Sequence, residues 1–370
     1  MSTSTATRPA AAPEEGTARH EGGSAATAPG DTPAATTAAP AQPAAATMTM
    51  AGALNRALAD ALAEDPSVLV FGEDVGALGG VFRVTDGLTD RFGGERCFDT
   101  PLAESGIVGT AVGMAMNGMR PVVEMQFDAF AYPAFEQIAS HVAKMGNRTR
   151  GAVRLPMVIR IPYGGGIGGV EHHCDSSEAL YAHTPGLTVV SPSTPQEAYS
   201  LLRAAIASPD PVVFMEPKKL YWAKGLVDTS VTAELRRARV VRDGADVTLI
   251  AYGPSVGIAL AAAEAQAAEG RSVQVVDVRT LTPFDDETVS AAVRSTGRAV
   301  VIAEAPGFAS VASEIQARVF EQCFEYLEAP VRRVTGFDTP FAPPKLEHWY
   351  LPDVDRVVDA IDTLHWEEGS

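Results

Sequence analysis

Three short segments of the chain carry side chains suited to moving protons. In the first, Phe98 to Gly109, one carboxylate, Glu104, stands where a loop of small residues turns into a run of Gly, Ala, Met and Val. A carboxyl beside an apolar wall gives up its proton less readily than one in water, which suits it to share that proton with a nitrogen base. The same position also fits an ordinary helix start, where a glutamate meets the positive end of the backbone dipole. A second carboxylate, Glu73, follows the apolar Val70, Phe71 and Gly72. The third segment, Glu171 to Asp175, holds His172 and His173, whose imidazoles exchange protons near neutral pH. Neighbouring side chains in an extended segment point to opposite faces, so the pair predicts separate roles rather than a shared metal.

Two further motifs point elsewhere. Gly164, Gly166 and Gly169 satisfy the G-x-G-x-x-G spacing of a dinucleotide loop directly after an apolar run. No helix of small residues follows, and the next strand, around Val189 and Val190, lacks an acidic end, so the loop reads as backbone made slim for close approach. Gly253, Ser255 and Gly257 match the nucleophile elbow of serine hydrolases, with Asp338 and His348 following in the hydrolase order. Against that stand Pro254 beside the serine and the lack of a Gly-rich oxyanion loop earlier in the same domain.

Short apolar runs alternate with helical periodicity along most of the chain. Leu54, Leu58 and Leu62 predict a helix over 50–64, stopped at Pro66, and a strand over 68–71 follows. Helices over 104–117 and 133–145 then alternate with strands at 121–126 and 157–161. After weak periodicity between 219 and 239, a second series begins at 247. Its strands are predicted at 247–252, 272–278, 299–303 and 331–334, and its helices at 256–268, 286–294, 309–324 and 354–364. Such alternation predicts an α/β fold of two unequal doubly wound parallel-sheet domains, 48–225 and 241–370, joined by a linker over 226–240. Residues 1–47, rich in Ala, Thr and Pro, read as a disordered tail, with Met48 or Met50 as an alternative start.

With 46 acidic against 29 basic residues, the formal charge is -17. Such a balance disfavours nucleic acid and anionic membranes and favours a basic protein partner. Cys97, Cys174 and Cys323 form no Cys-x-x-Cys pair, which fits a reducing cytoplasm without a disulfide framework. No apolar run reaches the roughly 18 residues of a membrane span, and no secretory signal is apparent.

Together, Val70 to Val75, Phe98 to Gly109 and Glu171 to His173 give the chain a resemblance to the beta subunit of the thiamine diphosphate-dependent 2-oxo acid dehydrogenase component, running from Met48 to Trp366. The resemblance implies a transketolase-like pyrimidine-binding domain followed by a transketolase C-terminal-like domain. It implies that Glu104 donates a hydrogen bond to the cofactor's aminopyrimidine and so favours the tautomer that activates the thiazolium. Glu73, Leu102, Gln126 and Phe130 are then placed around that ring, and Phe130 stands where relatives carry Tyr or Phe. His173 is implied to contact the substrate-derived intermediate and assist transfer to a lipoyl group, while His183 orders the loop. Cys174 and Asp175 replace the Ser and Gln that often follow this histidine. A structural potassium ion is implied near Ala205, Ser208 and Asp210, although Ser208 stands where Asp is frequent.

The family binds magnesium and diphosphate through a Gly-Asp-Gly segment and later asparagines, and this chain has only Asn55, Asn117 and Asn147. An alpha subunit is therefore expected to hold them, in an alpha2-beta2 heterotetramer that docks on a lipoyl acyltransferase core. That absence also disfavours a single-chain transketolase. The segments Gly79 to Arg83 and Gly336 to Phe341 look closer to the branched-chain enzyme, with pyruvate or acetoin as alternative substrates. A non-catalytic scaffold subunit is the contrasting class, and the presence of both Glu104 and His173 speaks against it.

Overall fold

The computed structural model describes residues 45–364. In chain order the strands are β1 (Ala45–Thr49), β2 (Val68–Gly72), β3 (Cys97–Asp99), β4 (Arg120–Glu124), β5 (Val158–Tyr163), β6 (Thr188–Val190) and β7 (Val212–Pro217). They continue with β8 (Lys224–Asp228), β9 (Arg239–Arg242), β10 (Val247–Ala251), β11 (Val273–Asp277), β12 (Thr280–Thr282), β13 (Ala299–Pro306) and β14 (Arg332–Gly336). A seven-stranded sheet has the order β12-β6-β7-β5-β4-β2-β3, and a five-stranded sheet the order β14-β13-β10-β11-β9. All pairings in the large sheet are parallel except that of β12 with β6; in the small sheet only β9 runs antiparallel, against β11.

The central strands β2, β5, β7, β10 and β11 are buried along their whole length, as expected of parallel strands covered by helices on both faces. The helix Met50–Glu64 buries Leu54, Leu58 and Leu62, and Thr49 caps it by accepting from the Gly52 amide (3.0 Å). It shares a core with the helix Pro195–Ala207, whose Leu201 and Leu202 are wholly buried.

Two expectations need correction, and one connection was not foreseen. Residues 45–49 fall partly within the expected tail, yet they form β1, paired antiparallel with β8. The partner lies far along the chain, so nothing in the local composition announces the strand. Residues 1–44, on which the rest of the tail reading falls, lie outside the described residues, as do 365–370. The helix expected over 133–145 is divided into Tyr132–Gln137, a wide π turn over Ile138–Val142 and a short helix Met145–Arg148. Finally, β12 follows β11 in the second alternating series but adds to the first sheet, so the two sheets are stitched at that edge. Among the described residues no helix is long and apolar enough to cross a membrane.

Candidate active site

In a parallel sheet the carboxyl ends of the strands open onto loops that gather polar groups from distant parts of the chain. Glu73 follows β2, Gln126 follows β4, the glycine loop that leads to His173 follows β5, and Lys218 follows β7. Glu104 is the first residue of the helix Glu104–Met116, which begins shortly beyond β3. Its N-cap, Ala103, has no side-chain acceptor, so the first-turn carboxylate of Glu104 lies at an uncapped helix start. Glu73 is buried and its Oε1 has no hydrogen-bond partner. Burial, then the neighbouring carboxylates of Glu104 and Asp74, pushes the Glu73 carboxyl up, while the Ala103 amide opposes the shift. Gln126 Nε2 donates to Asp74 Oδ2 (2.8 Å), and Leu102 is 79% exposed. Glu73 and Glu104 thus meet at one end of the sheet, beside an apolar side chain that this chain leaves uncovered.

A second group is aromatic. Phe127 packs edge-on against Phe130, with 5.5 Å between centroids. It meets His173 in the same way at 4.4 Å. Phe130 in turn meets His173 edge-on at 5.3 Å, the arrangement that ring quadrupoles favour. Phe130 is therefore brought to the histidine. The segment Glu171–His173 is a 3-10 turn rather than an extended stretch, and the rings of His172 and His173 approach to 4.3 Å. The expected divergence of the two side chains fails because a tight turn, unlike a strand, does not send neighbours to opposite faces. Among the described residues, however, no three His, Cys, Asp or Glu side chains are grouped to hold a metal. His173 Nδ1 is buried without a partner. Burial, then His172 and Lys218, pushes its pKa down, with Glu171 opposing.

The loop that carries His173 is tied to the second domain. The Gly165 amide donates to Glu304 Oε1 of β13, and the Gly166 and Gly168 amides donate to the two carboxylate oxygens of Glu347 (2.6 and 3.1 Å). These amides are the ones a dinucleotide phosphate would have used, and the chain's own carboxylates take them. Gly166 has φ +83°, and a Cβ there would fall 2.7 Å from the Lys219 side chain. The loop therefore requires glycine at this position. Asp175 accepts from the Tyr132 hydroxyl (3.0 Å), and Cys174 is buried with Phe341, Tyr350 and Leu351. His183 is exposed at the end of the helix Glu178–Ala182 and does not order this loop; Glu304 and Glu347 do. Ser255, the nucleophile of the hydrolase motif, is buried at a helix start, and Asp338 instead accepts from the Phe308 amide.

Ala205, Ser208 and Asp210 lie at the end of the helix Pro195–Ala207, away from these groups. Arg120 Nη1 donates to the carbonyls of Ile206 (2.9 Å) and Ser208 (3.1 Å), and Arg154 faces the Asp210 carboxylate (3.4 Å). The Ser208 hydroxyl donates to the Asp210 carbonyl (2.8 Å), and the Ala205 carbonyl accepts the Ser208 amide. The oxygens a monovalent ion would use are engaged by the chain's own donors, with arginine supplying the positive charge, so the segment as it stands does not fit that ion.

Sequence reasoning missed Lys218, Glu304 and Glu347, and it missed a buried ionic cluster. Arg160 is fully enclosed and donates to Glu216 twice (2.6 and 2.9 Å) and to Glu124 (2.6 Å), while the Tyr221 hydroxyl donates to Glu216 (2.6 Å). A signal was available: Arg160 and Glu216 are each the single charge of an apolar strand, and Glu124 follows the buried Val122 and Val123, where only a paired charge is tolerated.

Two sheets in tandem, the larger gathering its polar groups at the strand ends, define a transketolase-type chain. Residues 46–224 match the transketolase pyrimidine binding domain, and residues 236–357 the transketolase C-terminal domain. A split-gene transketolase, described as an inactive beta4 tetramer, shares the fold with a TM-score of 0.71 at 24% identity, over 86% of this chain and 98% of that one. In sequence the chain is 56% identical over 322 residues to the pyruvate dehydrogenase E1 component subunit beta of Leifsonia xyli, covering 87% of this chain and 96% of that protein. It is 52% identical over 319 residues to the 3-methyl-2-oxobutanoate dehydrogenase subunit beta of Mycobacterium tuberculosis, covering 86% and 92%. The chain belongs to the family of E1 beta subunits of the thiamine diphosphate-dependent 2-oxo acid dehydrogenases.

Proposed function

We propose that this chain supplies the pyrimidine-side half of a thiamine diphosphate site, completed by an alpha subunit that holds magnesium and diphosphate in an alpha2-beta2 assembly. The observation that carries the reading is the unfinished corner formed by Glu73, Glu104 and exposed Leu102, where a buried carboxylate oxygen lacks a partner. Groups left in that state fit an aminopyrimidine and a partner surface, because each would otherwise remain an uncompensated cost. When bound, thiamine diphosphate supplies the carbon nucleophile that attacks a 2-oxo acid. Glu104 holds a proton toward the pyrimidine nitrogen. Glu73, whose own carboxyl is pushed up by burial and then by Glu104, offers its unpartnered oxygen beside it. Gln126, fixed by Asp74, and Leu102 set the ring's orientation, and Phe130 stands between that ring and His173. His173 accepts or returns a proton as the acyl group passes to lipoyllysine of an acyltransferase core in the cytoplasm.

Our preferred substrate is a branched-chain 2-oxo acid, supported by the segments Gly79 to Arg83 and Gly336 to Phe341 and by the 52%-identical relative. The 56%-identical relative supports pyruvate equally well, so both acids enter the test. The chain is assayed alone and co-expressed with an alpha subunit, with thiamine diphosphate and magnesium, on 3-methyl-2-oxobutanoate and on pyruvate. Decarboxylation only by the pair, faster with the branched acid, is expected. Turnover by the chain alone would overturn the divided site, and preference for pyruvate would reassign the substrate.

A further inference from the structure

Lys218 follows directly on β7 and is 1% exposed, yet its ammonium has no hydrogen-bond partner. An ammonium removed from water is tolerated only where surrounding charge compensates it. Three carboxylates from separate elements act on this one: Asp128 beyond β4, Asp175 on the histidine loop and Glu304 from β13 of the second domain, with the Cys174 thiol next to Asp175. The ammonium lies 6.0 Å from the centroid of the Phe127 ring, and that same ring packs against His173 at 4.4 Å. His173 Nδ1 is itself buried and unpartnered, so no hydrogen bond from this chain to that atom fixes its protonation. What remains to set it is burial first, then the field of nearby charges from His172, Lys218 and the opposing Glu171.

We propose that Lys218 is a positioning residue for His173: its buried ammonium, held against the Phe127 ring with no bond of its own, keeps the imidazole neutral and ready to accept a proton. The role in transfer rests on the function proposed above, whereas the electrostatic link does not. Burial holds Lys218 at about 8, with Asp128 the largest opposing influence, and the same ammonium adds to the downward push on His173. Between the lowered value of His173 and about 8, a neutral imidazole therefore stands beside a charged lysine.

The test uses the heterotetramer loaded with thiamine diphosphate and magnesium. Modification of His173 by diethyl pyrocarbonate, read by mass spectrometry across the neutral range, reports the neutral imidazole whatever His173 does in turnover, and the pH profile of lipoyl acylation is recorded in parallel. Lys218→Met and Lys218→Gln raise the His173 midpoint by on the order of one pH unit, and Lys218→Arg leaves it in place. An unmoved midpoint in either neutral variant overturns the proposal. Should neither variant assemble, the wild-type profile decides: a His173 midpoint below the ordinary 6.5 is expected, and one at or above it overturns the link. A shifted midpoint with an unshifted acylation profile supports the link while removing His173 from the transfer step.

Discussion

Two carboxylate groups sit close together on the large sheet and are treated in opposite ways. Glu124 and Glu216 share Arg160 in a dry, fully bonded cluster, and Tyr221 closes it. Glu73 and Glu104, a few residues beyond neighbouring strand ends, have no cation between them, and one oxygen of Glu73 is left over. The first arrangement is finished within the chain and serves the fold. The second leaves a buried oxygen unpaired within the chain, which is the state that the proposed function would complete, and an unsatisfied polar corner at a strand end points to a site more reliably than charge alone.

The largest effect is expected at Glu104, in the unfinished group. Glu104→Gln keeps the shape and removes the proton, and is expected to lower decarboxylation by the assembled enzyme about 10²–10⁴-fold with little change in thermal unfolding. A scaffold subunit would tolerate it with unchanged turnover. In the finished group, Arg160→Met leaves two buried carboxylates facing each other and is expected to cost about 3–5 kcal/mol in denaturant unfolding. If it unfolds no more easily than wild type, the cluster is not structural.

A third measurement reads, through pH, a buried carboxyl that belongs to neither group. Burial pushes Glu178 up to about 7 from its ordinary 4.5, although its Oε1 accepts from Tyr252 (2.7 Å). A carboxyl raised on folding contributes its stability fully below the unfolded value and loses it as pH rises through the folded one. Wild type should therefore lose about 3 kcal/mol from this group between pH 4.5 and 7. Glu178→Gln should flatten that part of the stability profile. Asp128 at about 6 and Asp277 at about 7 act with the same sign, so some slope persists. An unchanged profile in the variant would show that Glu178 ionises as it does in water. The smallest effect is expected at Arg120: exchanging potassium for sodium should leave the melting temperature where it was, and a potassium-specific rise would mean that the guanidinium yields its carbonyls to the ion.

Much of the fold was legible because parallel strands covered on both faces are continuous apolar runs; Val68–Gly72 and Val247–Ala251 announce themselves. The Leu54, Leu58 and Leu62 spacing placed the first helix within its observed bounds. β1 was not legible, since Ala and Thr form a strand there only by meeting β8. At the proposed site, Glu104, Glu73 and His173 were singled out through residue type and resemblance. Lys218, Glu304 and Glu347 were not, because their meaning lies in what surrounds them after folding: one is an ammonium with no bond, and two are carboxylates holding a loop from another domain. The direction of the adjacent histidines was misjudged because Glu171–His173 forms a tight 3-10 turn rather than an extended stretch.

The antiparallel β12 seam has a mechanical consequence. With Thr280 and Thr282 laddered to Val190 and Val189, the two halves of the chain cannot swing apart like a jaw without tearing backbone bonds. Any hinge between the two sheets must therefore leave that edge joined.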